Sequence, residues 1–180
     1  VSEKALNQLR EQFPNAVLES GEYRGDEWAI VDREMIRPIG RFLKDTNGLQ
    51  FDMLTDLTAV DYFGRKTPRF EVVYHLYSVQ KKHRLRLKVP LSEDDPTVDT
   101  LSDLWKVANW MEREVWDMYG IRFNDHPDPR RILLYEEFEG HPLRKDYPKD
   151  KHQPLVRRSP EAIEEALKRR PGTLAPIMPE

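Results

Sequence analysis

Helical apolar spacing at the start of the chain, β-type alternation through its middle and helical spacing again before Gly120 predict an α+β fold. The sheet is expected to be antiparallel or mixed, with helices mostly on one side. After Gly120 the character changes, because Pro127, Pro129, Pro142, Pro148 and Pro154 interrupt any long helix and predict an extended, Pro-rich C-terminal arm. The expected organisation is an α+β domain over residues 1–123 and an arm over residues 124–180 that carries a short C-terminal helix. A length of 180 residues suits one main domain with an extension and is large enough for a sizeable core.

The first element follows from Leu6, Leu9 and Phe13 at helical spacing between Glu3 and Phe13, with Pro14-Asn15 ending it. Residues 16–19 and 27–31 read as two short strands around a turn holding Gly21 and Gly25. Asp32 can start a second helix with the apolar set Met35, Ile36, Ile39, Phe42 and Leu43, whose regular part begins late or bends at Pro38. The longest strands are expected over 51–62 and 69–79. In the second of these both alternating sets are rather apolar, which predicts a strand covered on both faces. Lys81-Lys82-His83-Arg84 reads as a hairpin turn. Leu85, Leu87 and Val89 then alternate with Arg84, Arg86 and Lys88 as in an antiparallel strand with one wet face, ending at Pro90. Val98, Leu101, Leu104 and Trp105 are placed at helical spacing over 97–106.

The next helix is expected to stop at Gly120, which can take positive φ without a Cβ clash. Asn109 can serve as its N-cap, with Glu112 completing a capping-box-like start. At 100° per residue Met111, Val115, Met118 and Tyr119 share one face, and Trp110, Arg113, Glu114 and Asp117 the other. Arg113 and Asp117 stand at i,i+4 and can pair, although a solvated pair contributes only ~0.3–0.5 kcal/mol. A Trp beside Arg and carboxylates is the composition of an interface centre. The plainer alternative is a solvated charged face with an incidental Trp. A final helix is expected from Ser159 as N-cap and Pro160 at N1 through Arg170, before Pro171-Gly172.

Composition narrows the function. Cys is absent, so no thiolate-ligated iron–sulfur cluster, Cys-type zinc site or disulfide can form in this chain. A net charge of −3 argues against nucleic-acid binding, which needs a basic excess to displace counterions. No apolar stretch approaches a membrane span, and the first residues have neither signal-peptide nor transit-peptide character, although Val1 in place of Met is compatible with processing or trimming. An arm with few aliphatic clusters buries too little surface to offset its own entropy, so it should lie along another surface, its own domain's or a partner's.

Catalytic patterns are weak. Glu112, Glu114, Asp117, His126, Asp128, His141 and Asp146 supply ligand types for a metal, yet neither His-Glu-x-x-His nor Glu-x-x-His occurs. With charged residues at 34% of the chain, such clusters arise easily. His126 and His141 each precede Pro and are expected in turns, where imidazole bonds local backbone. Neither Gly-x-Gly nor Gly-x-x-x-x-Gly-Lys occurs, so both usual phosphate cradles are missing and NADH is not expected here; a Gly-x-Ser-x-Gly elbow is missing too.

Three blocks carry a family resemblance: Glu112-Arg113-Glu114-Val115-Trp116-Asp117-Met118-Tyr119 followed by His126, Arg130, Ile132 and Leu133; Leu57-Thr58-Ala59-Val60-Asp61-Tyr62; and Gly140-His141-Pro142-Leu143-Arg144-Lys145-Asp146-Tyr147-Pro148. Together, spanning roughly residues 28–148, they resemble the thirty-kilodalton subunit, or C subunit, of respiratory NADH:quinone oxidoreductase (complex I). The resemblance implies a scaffold in the peripheral arm, packed against the D subunit, whose pocket together with its neighbour receives the quinone. It implies no cofactor in this chain, with NADH, FMN, iron–sulfur clusters and quinone on other subunits. The implied location is the cytoplasmic side of a bacterial membrane, with the mitochondrial matrix or plastid stroma as less favoured positions. It also implies contact roles for the arm, so the expected partner interface comprises Trp110, Arg113, Glu114, Asp117, His126, Arg130, His141, Arg144, Asp146 and Tyr147. Two alternatives stay open: the corresponding subunit of a membrane-bound hydrogenase or plastid-type complex, and a freestanding metal-dependent enzyme using His126, His141 and nearby carboxylates.

Overall fold

The computed structural model describes residues 3–155 and Glu164. The chain divides into two units, Val1–Asp150 and Lys151–Glu180, so the segment from 124 to 150 belongs to the first unit. The helix expected from Ser159 to Arg170 lies outside the described residues, apart from Glu164, which is helical.

Helix α1 (Glu3–Gln12) leads into a hairpin of β1 (Val17–Tyr23) and β2 (Asp26–Val31). Arg24 and Gly25 take the positive φ angles of its turn. Gly21, expected in that turn, lies within β1 instead; a Cβ there would come within 2.9 Å of the Trp28 ring. Asp32 caps a single 3₁₀ turn, Arg33–Met35, by accepting the Glu34 N–H at 2.9 Å, and α2 (Ile36–Asp45) follows. Pro38 falls in the first turn of α2, where a missing N–H costs nothing.

Strands β3 (Met53–Asp61), β4 (Phe70–Ser78) and β5 (His83–Leu91) complete a five-stranded sheet in the order β1-β2-β5-β4-β3. All neighbours are antiparallel except β2 and β5, so the sheet is mixed. Strand β4 is enclosed along most of its length, as its doubly apolar pattern predicts, with Tyr74 opposite Leu57 on one side and Leu87 on the other. Tyr74, Val72 and Leu87 join Leu9, Ile36, Ile39, Leu43, Phe51 and Val115 in one core cluster, so α1, α2 and the helix before Gly120 contribute to the same core. That architecture is α+β.

The expected helix over 97–106 is not formed. Strand β6 (Thr97–Asp99) pairs in parallel with the unforeseen β7 (Arg122–Asn124), and turns follow it. Val98, Leu101, Leu104 and Trp105 are nevertheless all buried. Their spacing marked core positions correctly, but β-branched Thr97 and Val98 gain a strand partner, while the indole of Trp105 donates to the Phe51 carbonyl at 3.1 Å. Helix α3 (Ala108–Tyr119) begins after Val107, which lends no side-chain cap, so Asn109 and Glu112 do not form the expected capping box. Among the described residues no helix is long and apolar enough to cross a membrane.

Candidate functional site

Helix α3 ends as expected at Gly120, with φ 76° and its N–H on the Trp116 carbonyl at 2.8 Å. The glycine also makes room for the returning chain, since a Cβ there would lie 2.7 Å from Cδ2 of His141. The His141 Nδ1–H donates to the Asp117 carbonyl at 3.0 Å, and the Leu143 N–H donates to the Met118 carbonyl at the same distance. An arm is thereby laid back across the helix end.

Asp117 is what fastens it. The carboxylate has no exposed surface, and its Oδ2 accepts the N–H groups of Ile132, Leu133 and Leu134 at 3.2, 2.9 and 2.9 Å. Its Oδ1 takes Nη1 of Arg131 at 2.6 Å. Burial alone would push this acid up; the backbone N–H groups and the guanidinium outweigh it and hold the carboxyl below its ordinary range. Arg131 also donates to the Phe138 and Gly140 carbonyls. The expected Arg113–Asp117 pair is therefore replaced. Arg113 donates to the carbonyls of Arg130 and Arg131, each at 2.9 Å, and meets Asp128 at 3.3 Å. Two arginines and one aspartate thus bind the arm mainly through its backbone, which an i,i+4 argument confined to one helix could not foresee.

His126 and His141 both bond backbone, as their turn positions predicted. Nδ1 of His126 accepts the Asp128 N–H and Nε2 donates to the Asn109 carbonyl, both at 3.0 Å, which places its hydrogen on Nε2. Arg130 is mostly exposed and forms a two-pronged pair with Asp128. Trp110 is 61% exposed, with the Arg113 guanidinium 5.5 Å from its ring centroid, and Glu114 is exposed one turn further along.

A second fastening holds residues 144–147. Arg69 is 5% exposed, lies against the rings of Phe63 and Phe70, and pairs with Asp61, Glu93 and Asp146. The Lys145 N–H donates to Asp61 at 2.8 Å. Burial pushes the Asp61 carboxyl up, but Arg69 and the N–H groups of Lys145 and Phe63 bring its pKa down to about 2. Arg144 approaches Glu93 and Asp146 from outside. The Tyr147 ring stacks on Phe138 at 6.3 Å. Sequence reasoning missed Arg69 and Arg131. A lone Arg at the start of an apolar strand and the second member of an Arg doublet carry no local pattern, although Asp61 lay in a block already singled out.

Glu112 is also fully enclosed, but without an Arg or Lys paired to it among the described residues. It accepts the Thr100 hydroxyl and the Leu101 N–H, the latter at 2.7 Å, and lies 3.7 Å from Nε2 of His126. Burial pushes its carboxyl up to about 7, against the opposing pull of those two donors. Among the described residues no three His, Asp or Glu side chains are grouped to hold a metal ion.

Residues 29–153 match the family described as respiratory-chain NADH dehydrogenase, 30 Kd subunit. The C subunit of NADH-quinone oxidoreductase from Geobacter sulfurreducens is 50% identical over 145 residues, covering 81% of this chain and 88% of that protein. The C subunit of the same enzyme from a Roseiflexus species is 50% identical over 143 residues, covering 79% and 82%. Among solved structures, the trypsin-resistant fragment (1-134) of Nqo5 is 31% identical, covers 70% of this chain and 97% of that one, and superposes with a TM-score of 0.62. A chain of the membrane-bound sulfane sulfur reductase, an archaeal respiratory membrane complex, has a TM-score of 0.66 at 23% identity, a likeness of fold alone. By its sequence and its fold, the chain belongs to the family of the thirty-kilodalton subunit of respiratory-chain NADH dehydrogenase, the C subunit of complex I.

Proposed function

We propose that this chain is a non-catalytic scaffold of the peripheral arm of a proton-translocating NADH:quinone oxidoreductase, docking the D subunit through the outer side of α3 and the arm laid across it. NADH, FMN, iron–sulfur clusters and quinone then belong to other subunits, and the assembly stands on the cytoplasmic side of a bacterial membrane. The observation that carries this reading is the contrast around Trp110: a large aromatic left mostly in solvent, over an Arg whose hydrogen bonds hold the arm from beneath. Such an aromatic and its flanking charges suit the desolvated centre of an interface. Trp110, Glu114, Arg130, Arg144, Asp146 and Tyr147 would meet the partner, while Arg113, Asp117, His126 and His141 set the shape of the surface from within.

Internal fastening also gives the arm a preformed geometry, which lowers the ordering cost of docking. Trp110→Ala should weaken retention of the chain in the complex by about 1–4 kcal/mol, the scale of a truncated interface anchor. The isolated chain should change by no more than about 0.5 kcal/mol, as for other exposed sites. Native electrophoresis of the complex and thermal melting of the isolated variant check both; a variant retained normally, or one that unfolds, argues against this face. Arg113→Ala should disturb the arm as well as docking. Mass spectrometry after gentle membrane extraction separates the alternatives, since a hydrogenase-type assembly would bring different partners and a metal enzyme would come alone with its ion.

A further inference from the structure

The five-stranded sheet has two edges, and they are not alike. At one, β3 packs against α3. At the other, β1 is flanked by β2, and α1 reaches it through Arg10, which donates to the Ser20 hydroxyl at 2.6 and 2.9 Å. The hairpin fixes which backbone groups of β1 look outward. Arg24 and Gly25, with φ of 54° and 87°, form a two-residue turn closed by Tyr23 and Asp26. Hydrogen-bonded and open pairs alternate along an antiparallel ladder, so Tyr23, Gly21 and Glu19 bond β2, while the N–H and C=O of Ser20 and Glu22 point away from it. The Asp32 N–H, on the Ala16 carbonyl at 2.9 Å beyond the bulge, keeps the same alternation on β2. Outside the ladder no hydrogen bond among the described residues uses those four outward groups.

Side chains along the strand follow the same period of two. Glu19, Gly21 and Tyr23 share the face on which the Trp28 ring lies across Gly21. Leu18 and Tyr23, 58% and 64% exposed, stand toward the two ends of the strand. Glu19 and Glu22 are exposed and take part in no ion pair among the described residues. Edge strands are commonly guarded by a Lys, a Pro or a bulge. β1 holds neither Lys nor Pro, and its bulge, between Val17 and Glu19, leaves 19–23 regular. The two Glu guard it against one partner only, because a second copy of β1 would bring four carboxylates onto one short ladder. A strand carrying a basic residue meets no such penalty.

We propose that β1 accepts an extended segment of a neighbouring subunit as a sixth strand, with an apolar side chain over Gly21 against Trp28 and Tyr23 and a Lys or Arg opposite Glu22. Main-chain bonds to Ser20 and Glu22 supply the affinity, and the order of side chains selects the segment. Resting on the assembly reading above, this contact adds to it a surface at the sheet edge far from β3 and α3.

Hydrogen–deuterium exchange reads the main chain directly. In the full chain alone, the amides of Ser20 and Glu22 should exchange freely while that of Gly21 is protected; in the intact complex all three should be slow. A photo-crosslinking p-benzoylphenylalanine in place of Tyr23 should join a segment of another subunit that carries adjacent apolar and basic residues. The same group at Lys81, in the turn before β5, should not join that segment. Glu22→Pro removes one outward N–H and no bond to β2, so it should leave the melting of the isolated chain unchanged and speed its loss from the complex by on the order of tenfold. Should the proline prevent folding, Glu22→Arg gives the same readout through charge, and changing the crosslinked base to Glu should restore retention. Free exchange at Ser20 and Glu22 in a complex that retains the chain, a crosslink to a second copy or to residues 156–180, or a joined segment without a base would overturn the proposal and leave the assembly reading standing. Failure of the unsubstituted chain to co-purify with any complex would defeat the assembly reading and this contact with it.

Discussion

Glu112 and Asp117 lie five residues apart on α3 and are both enclosed, yet their acidities move in opposite directions. At Asp117 a guanidinium and three successive backbone N–H groups converge on the two oxygens. At Glu112 a hydroxyl and a single N–H do so, with the imidazole of His126 alongside. Both carboxylates are closed to solvent, Glu112 at the greater depth, and the donors differ. The charged form is stabilised by what points at it, and enclosure alone penalises it. One carboxylate therefore works as a fastening for the arm, and the other as a polar plug between α3 and the loop after β6.

The largest expected effect comes from cutting the fastening. Asp117→Ala leaves Arg131 and three N–H groups without their acceptor, and docking of the arm should lose about 3–5 kcal/mol, as when one partner of a buried pair is removed. Trypsin should then cleave after Arg130 and Arg131 in the native chain. Unchanged protection of those bonds would mean that Arg69 and its acids hold the arm unaided.

Acidity should separate the two ends of the helix next. Glu112 has a folded-state value of about 7 against an ordinary 4.5, so the folded chain binds more protons than the unfolded one between those values. Its contribution is fully favourable below about 4.5 and declines as pH rises through about 7, by roughly 3 kcal/mol at 1.36 kcal/mol per unit. The lowered Asp117 behaves in the reverse sense: its contribution is present above its ordinary 3.8 and is lost as acid protonates it. Urea unfolding of the native chain and of Glu112→Gln across this range checks the sign, because the amide keeps an acceptor for Leu101 but cannot titrate. A slope that survives in Glu112→Gln would move its origin to another group.

A smaller effect is expected at the hinge between α3 and the arm. Gly120→Ala forces a left-handed residue and a close approach to His141, and should cost about 1–2 kcal/mol for the conformation alone. Calorimetry measures the loss, and the His141 ring resonances show whether the imidazole has been displaced. A neutral substitution would mean that the arm can shift without leaving its acceptors.

Several features were legible before the fold was known because they depend on neighbours in the chain. The strand at 70–78, the stop at Gly120, the hairpin around Lys82 and the backbone-bound histidines follow from alternation, φ preference and turn chemistry. Glu112 was misread as a cap because three-residue spacing from a polar residue is a local rule, and the groups that bind Glu112 come from a loop eleven and twelve residues upstream. The helix expected over 97–106 failed for a related reason. Apolar spacing reports which side chains are buried, and β6 was decided by a partner strand twenty-five residues away in the chain at Val98–Phe123.

The order of side-chain types by itself determined the α+β class, the family, most strand positions and the absence of thiolate chemistry, because periodicity, turn residues and composition act over a few bonds or not through space at all. Only the tertiary structure decided which acid meets which base. Arg69 with Asp146 and Arg131 with Asp117 are brought together by the path of the arm, and electrostatic energies of enclosed groups depend on distances that the linear chain does not contain.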